Sequence, residues 1–328
     1  MPLIVTLFFG FAPMFLFAYI LYWLDRYEKE PFLLLGAVFL WGMFIAAGGA
    51  YILNTIFGVA IFALTGSEAA SDLAMGSLSA PLVEEGLKGM AVWLVFLLFY
   101  REFDSILDGI IYAGIAALGF AATENSLYIW RGFEADGWSG LVQLTFIRVV
   151  LVGWQHPFYT SFTGIGLATA RMSRSLLVRI VAPLAGLGVA MLAHSIHNTL
   201  AAFSDGLLCF VGLALDWSGV LFMFVLILWA AWIEQRNLVT HLREEVELGV
   251  ISAAQYRTAC SAWGQSFARL TALFSGRLRA TSKFYQTCAE LAHKKEQQRK
   301  LGPGDGDAAY IQKYRAELTR LAPQAQTA

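Results

Sequence analysis

The chain of 328 residues is 58% hydrophobic and only 14% charged, with a mean hydropathy of +0.59. A soluble protein of this length can bury a large core without so apolar a composition, which argues against that class. The net charge of −1 conceals an asymmetry, because acidic residues outnumber basic ones up to Gln235 and the reverse holds from Arg236 onward. We therefore divide the chain into an apolar part, residues 1–235, and a basic tail, residues 236–328.

Seven apolar segments follow one another in the first part, each near the roughly 20 residues that cross a bilayer core. They predict transmembrane helices at about 3–24, 32–57, 75–100, 106–130, 141–170, 177–202 and 208–233. The first segment has no basic n-region and no small-residue cleavage site, so we interpret it as a retained span. The predicted fold class is all-α: a polytopic membrane protein with about seven transmembrane helices plus a helical cytoplasmic tail.

Basic residues alternate between the connections of these segments. The first, third and fifth connections carry Arg26, Lys29, Arg101, Arg171, Arg174 and Arg179. The second and sixth connections carry no Lys or Arg, and the fourth carries only Arg131. The positive-inside rule therefore predicts an N-terminus outside the membrane and a tail in the cytoplasm.

The tail is predicted to be helical because apolar residues recur in it at spacings of three and four. These residues are Leu248, Val250, Tyr256, Trp263, Phe267 and Leu270. A break is predicted at 301–307, where glycine and aspartate surround a proline. The basic residues of the tail could contact anionic lipid, but we interpret them as a solvated helical face. The three cysteines form no CxxC pair, and they predict no disulfide framework.

Ionisable side chains inside four predicted spans indicate a functional site. A charged residue in a span costs on the order of 2.5–3.5 kcal/mol by insertion scales, so each calls for an explanation. The estimated depths differ by a few helical turns and favour the outer half or the middle of the membrane. The residues are Glu84, Glu85 and Lys88 in the third span, Glu124 and Asn125 in the fourth, His156 in the fifth, and His194 and Asn198 in the sixth.

Helical spacing groups several of these side chains. Lys88 is four residues from Glu84 and three from Glu85, so it can meet both carboxylates on one helix face. His194 and Asn198 are likewise four apart and share a stripe. The third and fifth helices also contain prolines, Pro81 and Pro157, which can bend them and open a water-filled space.

Purely structural roles are the alternatives. An internal ion pair would account for Lys88 and one of the two glutamates, and a hydrogen bond between helices would account for His156 equally well. His197 lies about 100° around the helix from Asn198, and we interpret it as a residue that supports the site residues from behind or as a packing residue. We interpret Arg148 as a residue that snorkels or pairs with an acid.

Taken in order, these elements resemble the PrsW family of intramembrane proteases, which are relatives of the CAAX-processing and bacteriocin-immunity membrane proteases. The family pattern is matched by Glu84-Glu85-Gly-Leu-Lys88, Phe120-Ala-Ala-Thr-Glu124-Asn125, His156 and His194-Ser-Ile-His197-Asn198. The resemblance covers roughly residues 1–235, and His197 departs from it because that family position is usually apolar. The tail lies outside the resemblance.

The resemblance implies hydrolysis of a peptide bond in a membrane protein or membrane-associated peptide, and an anti-sigma factor is the best-known kind of substrate. It also implies a bacterial inner or plasma membrane location. The expected catalytic residues are Glu84, Glu85, Glu124, His156, His194 and Asn198, with Lys88 and Asn125 in support. The bilayer is the other expected partner, and no nucleic acid is expected.

Two hydrolytic schemes fit these residues, so the expected cofactor is none or zinc. The chain has no His-Glu-x-x-His motif, but a zinc site could be built from Glu84, Glu124, His156 and His194. In the metal-free scheme, which we prefer by a small margin, Glu84 activates a water with support from Glu124 or His156. His194 and Asn198 then donate hydrogen bonds to the oxyanion.

Other functions remain as alternatives. Buried Glu, His and Lys side chains also form proton relays in transporters. A proton-coupled transporter is expected to show an inverted repeat and a polar path to both faces, whereas the sequence shows no repeat and a one-sided cluster. An inactive scaffold would have no need of every motif element. A covalent Ser or Cys nucleophile has no evident base partner.

Overall fold

The computed structural model describes residues 1–100, 102–103, 105–203, 206–302 and 307–328. Across these ranges every regular element is helical, which confirms the predicted all-α class. Arg101 and residues 303–306 of the predicted break lie outside the described residues. Five helical stretches are long and apolar enough to cross a membrane, namely Pro2–Leu24, Phe32–Thr65, Ile106–Arg171, Leu176–Ala202 and Leu207–Glu247. The chain is therefore a polytopic membrane protein.

The apolar part forms nine α-helices within the described residues, and three π-helical segments continue them. These are α1 (Pro2–Leu24), α2 (Phe32–Leu40), α3 (Ala47–Thr65), α4 (Glu68–Ala74), α5 (Ala80–Leu98), α6 (Ile106–Thr145), α7 (Gln155–Arg171), α8 (Leu176–Ala202) and α9 (Leu207–His241). The π-helical segments are Trp41–Ala46 between α2 and α3, Met75–Ser79 between α4 and α5, and Phe146–Leu151 after α6.

All seven predicted spans lie within these helices, although only five stretches qualify by length and composition. The third predicted span, 75–100, corresponds to the π-helical segment Met75–Ser79 and α5, which carry Glu84, Glu85 and Lys88 and do not qualify. The fourth and fifth predicted spans fall in one stretch, Ile106–Arg171, which bends back on itself.

This reversal occurs at Asp136 and Gly137, where the backbone leaves the helical region and Gly137 takes a φ of 60°. A Cβ atom on Gly140 would lie only 2.1 Å from the carbonyl oxygen of Gly132, so the two legs are in backbone contact beside the turn. Further along, Arg148 on the second leg reaches Glu124 on the first. The fourth and fifth spans therefore form an antiparallel helical hairpin.

The first leg of α6 is the centre of the membrane part, because every residue from 107 to 122 is buried. Small residues allow its neighbours to approach closely. A Cβ on Gly109 would lie 2.4 Å from the carbonyl oxygen of Gly164 in α7, and one on Gly119 would lie 2.0 Å from that of Phe39 in α2. This packing holds α6 and α7 together beside α5, where the ionisable residues lie.

The chain divides into two compact units: residues 1–23 with 30–227, and residues 24–29 with 228–328. The predicted domain boundary, after Gln235, lies a little further along α9. The second unit contains the end of α9 and, within the described residues, α10 (Arg243–Glu247), α11 (Ala253–Ala259), α12 (Ala262–Phe274), α13 (Leu278–Leu301) and α14 (Asp307–Leu321). Its helical character agrees with the sequence analysis.

The second unit has its own apolar core, to which Tyr27 contributes from the short segment after α1. Other members of this core are Leu238, Leu242, Phe284, Tyr285, Cys288, Leu291 and Leu318. The fully buried Glu245 pairs with Lys295 and Arg315, so its charge is compensated. Trp263, Phe267 and Leu270, whose spacing predicted a helix, are exposed on α12.

Replacing Gly109 with alanine should destabilise the protein, because the new methyl group would meet the backbone of Gly164. Overpacking of this kind costs about 1–3 kcal/mol. Gly48→Ala in α3 is the matched control, since no described atom lies within 4 Å of its Cβ position. Thermal unfolding of both variants in detergent measures the difference, and equal melting temperatures would contradict the close approach of α6 and α7.

Candidate active site

The α5 helix carries a buried ion pair next to a second acid. The Nζ atom of Lys88 lies 2.5 Å from Oε1 of Glu85 and 3.9 Å from Oε2 of Glu84. Lys88 and Glu85 are fully buried, and Glu84 is 5% exposed. The spacings of three and four residues place all three on one helix face, as the sequence predicted. One ammonium group thus faces two carboxylates.

Glu85 is also held by residues of two further helices, α7 and α8. Its Oε1 atom lies 2.9 Å from Nδ1 of His194 in α8, and its Oε2 accepts a hydrogen bond of 2.8 Å from Thr160 in α7. Together with Lys88, these contacts engage both oxygens of the carboxylate. An ionised carboxylate only accepts hydrogen bonds, so Nδ1 of His194 carries the proton and Nε2 keeps a lone pair.

Glu84 differs from its neighbour. Its Oε2 atom is buried and has no hydrogen-bond partner among the residues that the structure describes. The nearest charged or basic groups are Nζ of Lys88 and Nε2 of His194, each at 3.9 Å. A buried carboxylate oxygen without a partner is costly. The oxygen of Glu84 and the lone pair of His194 therefore face each other and are both available to a ligand.

His156 of α7 connects Lys88 of α5 to Glu124 of α6. Its Nδ1 lies 3.2 Å from Nζ of Lys88, and its Nε2 lies 2.9 Å from Oε2 of Glu124. A charged lysine can only donate, so Nδ1 accepts and Nε2 donates to Glu124. The imidazole also packs edge-on against Phe120 and His194, with ring centroids 5.2 and 5.3 Å apart. Two histidines from separate helices thus meet in one site.

Glu124 is engaged by Arg148 as well as by His156. The guanidinium of Arg148 pairs with the Glu124 carboxylate and donates from Nε to Oδ1 of Asn125 at 3.0 Å. Pairing with an acid is one of the two roles, snorkelling or pairing, that the sequence predicted for Arg148. It also gives Asn125 a defined place beside the site.

The residues present fit a metal ion with three protein ligands. Glu84, His156 and His194 each offer one ligand atom, and these atoms lie within 4.8 Å of one another. The 3.9 Å between Glu84 Oε2 and His194 Nε2 is below about 4.2 Å, the sum of the usual zinc–oxygen and zinc–nitrogen distances. Hydrogen bonding of Glu85 to Nδ1 of His194 is the arrangement that orients a histidine ligand.

The predicted zinc set had Glu124 as a fourth ligand. Among the described residues, the group whose ligand atoms lie close enough together is Glu84, His156 and His194, without Glu124. Its carboxylate is directed to Arg148 and His156 instead. The ligand set that the structure offers is therefore smaller than the sequence analysis expected.

Asn198 has a different environment from the one expected of an oxyanion donor. Its Nδ2 donates to the carbonyl oxygen of Gly76 at 2.9 Å, and the hydroxyl of Ser195 donates to that of Ser77 at 2.5 Å. Both carbonyls belong to the π-helical segment Met75–Ser79, where regular α-helical bonding is interrupted. The structure thus joins Asn198 to the connection between α4 and α5 rather than to the carboxylates.

A second polar cluster, which sequence reasoning missed, supports His194 from the other side. Asp216 in α9 accepts hydrogen bonds from Tyr159 at 2.8 Å and Gln155 at 2.7 Å, and it lies 2.6 Å from Nδ1 of His197. The ring of Tyr159 stacks on that of His194, with centroids 5.1 Å apart and an interplanar angle of 18°. Asp216 is a carboxylate within a predicted span, and that rarity could have identified it.

A family model described as PrsW family intramembrane metalloprotease matches residues 30–231. No solved structure matches the chain.

Three curated relatives carry the name Protease PrsW. The protein from Geobacillus kaustophilus is 30% identical over 164 residues, which is 50% of this chain and 66% of the relative. The protein from Clostridioides difficile is 37% identical over 107 residues, 32% and 42% of the two chains. The protein from Oceanobacillus iheyensis is 31% identical over 134 residues, 38% and 53% of the two chains. Each match spans less than two thirds of the relative's own length.

Removing the charge of Lys88 should destabilise the protein, because Glu85 would remain buried without its cation. Breaking one side of a buried pair costs about 3–5 kcal/mol. The double variant Lys88→Met/Glu85→Gln should recover much of that loss. Lys283→Met, at an exposed pair in α13, is the control and should change stability by less than about 0.5 kcal/mol. Denaturant titration in detergent measures all three, and a harmless Lys88→Met would rule out the assigned pairing.

Proposed function

The chain belongs to the PrsW family, whose model spans residues 30–231, and we propose that it is an intramembrane protease that hydrolyses a peptide bond of a membrane-associated protein. The observation that carries this proposal is the unpartnered Oε2 atom of Glu84, which faces Nε2 of His194 in a buried site. An acceptor oxygen and a free imidazole nitrogen are what hydrolysis needs in order to hold a water or a metal ion.

The donor set supports metal-dependent hydrolysis over the metal-free scheme that the sequence favoured. Glu84, His156 and His194 would hold the ion, with His156 exchanging one of its present hydrogen bonds. A bound metal ion supplies Lewis-acid activation of a water and of the scissile carbonyl. The family description as a metalloprotease points in the same direction.

The surrounding residues have separate tasks in this proposal. Glu85 fixes the tautomer and orientation of His194 through Nδ1, and Tyr159 holds the other face of that ring. Lys88 limits the negative charge near Glu84. The hydrogen bond between Nε2 of His156 and Glu124 holds the second imidazole beside the site.

We also propose the setting in which this reaction takes place. Basic connections assign the N-terminus to the outside and the tail to the cytoplasm of a bacterial inner or plasma membrane. The substrate is a membrane protein or a membrane-associated peptide, and an anti-sigma factor is an example of this class. A comparison of membrane-protein fragments between cells that contain the wild-type protein and cells that contain Glu84→Gln would identify it.

Glu84→Gln should reduce cleavage of that substrate by at least about 10³-fold, because the amide can neither accept a proton nor bind a metal ion as a carboxylate does. Glu85→Gln should cost roughly 10–100-fold, since it acts through His194. Glu68→Gln, outside the site in α4, is the control and should be fully active. Cleavage in proteoliposomes measures the three variants, and wild-type rates for both Glu84→Gln and Glu85→Gln would refute the site.

Zinc should bind the purified protein and raise its melting temperature, while chelation should lower it and stop cleavage. At a hundred times the dissociation constant the expected stabilisation is about 2.7 kcal/mol. The shift should vanish in His194→Gln and persist in Glu68→Gln. Melting curves and metal analysis provide readouts besides activity. Cleavage that continues in metal-free protein would return the proposal to the scheme in which Glu84 alone activates water.

A further inference from the structure

The α12 helix of the second unit has apolar residues on two opposite faces. One face, which includes Ala268 and Ala272, is buried in the core of the unit. The other face forms what we call the α12 stripe: Trp263, Phe267, Leu270 and Phe274, with exposed fractions of 74%, 67%, 51% and 84%. At 3.6 residues per turn these four side chains fall within a sector of about 60°. Large apolar side chains scattered singly on a surface are ordinary, whereas a continuous row indicates an interface.

Two contacts within the second unit tie the start of α12 to the residues that follow the apolar parts of α1 and α9. The side chain of Gln235, which follows the last apolar run of α9, donates to the carbonyl oxygen of Cys260 at 2.9 Å. The guanidinium of Arg26 lies 5.6 Å from the ring centroid of Trp263. Arg26 comes two residues after the end of α1, which is long and apolar enough to span the bilayer. The stripe therefore begins beside polar residues that follow the apolar parts of two membrane helices.

The charged residues of α12 and of the segment that directly follows it are all basic. The α12 sequence contains no acidic residue, and Arg277 and Arg279 follow it as exposed side chains. Arg269 and Arg26 lie near Lys29. Burial lowers the pKa of Lys29 to about 8; Asp25 opposes this shift, Arg269 and Arg26 add to it, and Glu234 opposes it. An apolar face flanked by arginines is typical of helices that lie on anionic membranes.

The same combination of residues occurs at the end of α9. The guanidinium of Arg236 lies 4.8 Å from the ring centroid of Trp232, and this Trp is itself half exposed. Trp and Arg together mark the headgroup level of membrane proteins. Because α9 is one of the candidate spans, this pair provides an internal reference for the depth of the interface.

We propose that α12 lies in the headgroup region of the bilayer that the chain itself spans, with the α12 stripe toward the acyl chains and the flanking arginines at lipid phosphates. The bilayer is the occupant because contacts tie the start of α12 to residues that follow two membrane helices, and because the charges on α12 and directly after it are basic. This interpretation replaces the solvated face that the sequence predicted for the tail. It depends on insertion of the chain in a membrane and is independent of protease activity.

A photo-crosslinker tests the proposal in the full-length protein. The variant Phe267→p-benzoylphenylalanine is reconstituted in nanodiscs of phosphatidylethanolamine and phosphatidylglycerol, and adducts are identified by mass spectrometry. We expect lipid adducts at least about tenfold above those of the control variant Lys313→p-benzoylphenylalanine, an exposed position in α14. Both substituted residues are exposed, so neither substitution disturbs the core.

Each other outcome would overturn the proposal. Adducts between two copies of the chain would assign the α12 stripe to a dimer interface, and a yield equal to that at Lys313 would leave it in water. Zwitterionic discs test the arginines separately: the lipid yield at residue 267 should fall severalfold without phosphatidylglycerol. An unchanged yield would remove lipid phosphates from the proposed contact. Cleavage activity does not enter any of these measurements.

Discussion

The site depends on the buried ion pair between Lys88 and Glu85. Carboxylates in a dry helix bundle are costly unless charge and hydrogen bonds compensate them, and Glu85 receives full compensation from Lys88, Thr160 and His194. That compensation makes the acidic pair compatible with the membrane interior. It also uses the only ammonium group among the described side chains of the site, so Glu84 is left with a bare oxygen. The unpartnered oxygen of Glu84 thus follows from the ion pair that stabilises Glu85.

Helix packing brings the other groups to this pair. The glycines of α6 and α7 allow backbone contact between the two helices, and the hairpin turn at Gly137 returns the chain so that Arg148 meets Glu124. Polar residues that are distant in sequence therefore share one buried region. Asp216 extends the network to α9 and is connected to His194 through the ring of Tyr159.

Hydrophobic run length and helical spacing were sufficient to predict the all-α membrane fold and the shared face of Glu84, Glu85 and Lys88. They were insufficient wherever the outcome depends on a partner from another helix. The π-helical segment that binds Asn198 has no sequence pattern of its own. Similarly, spacing predicts that α12 is amphipathic without revealing which apolar face is buried, since both faces repeat at three and four residues.

Glu84 and Glu85 are chemically identical neighbours, and side chains from other helices give them different roles. Adjacent residues on a helix point about 100° apart, so α5 directs one carboxylate toward Thr160 and leaves an oxygen of the other opposite Nε2 of His194. Exchanging their roles would require rotating α5 against α7 and α8, although the sequence Glu-Glu is symmetric. Because Glu85 fixes the proton of His194 on Nδ1, it also determines that Nε2 is free to face Glu84. Glu85, whose two oxygens both have hydrogen-bond partners, therefore orients His194 toward the unpartnered oxygen of Glu84.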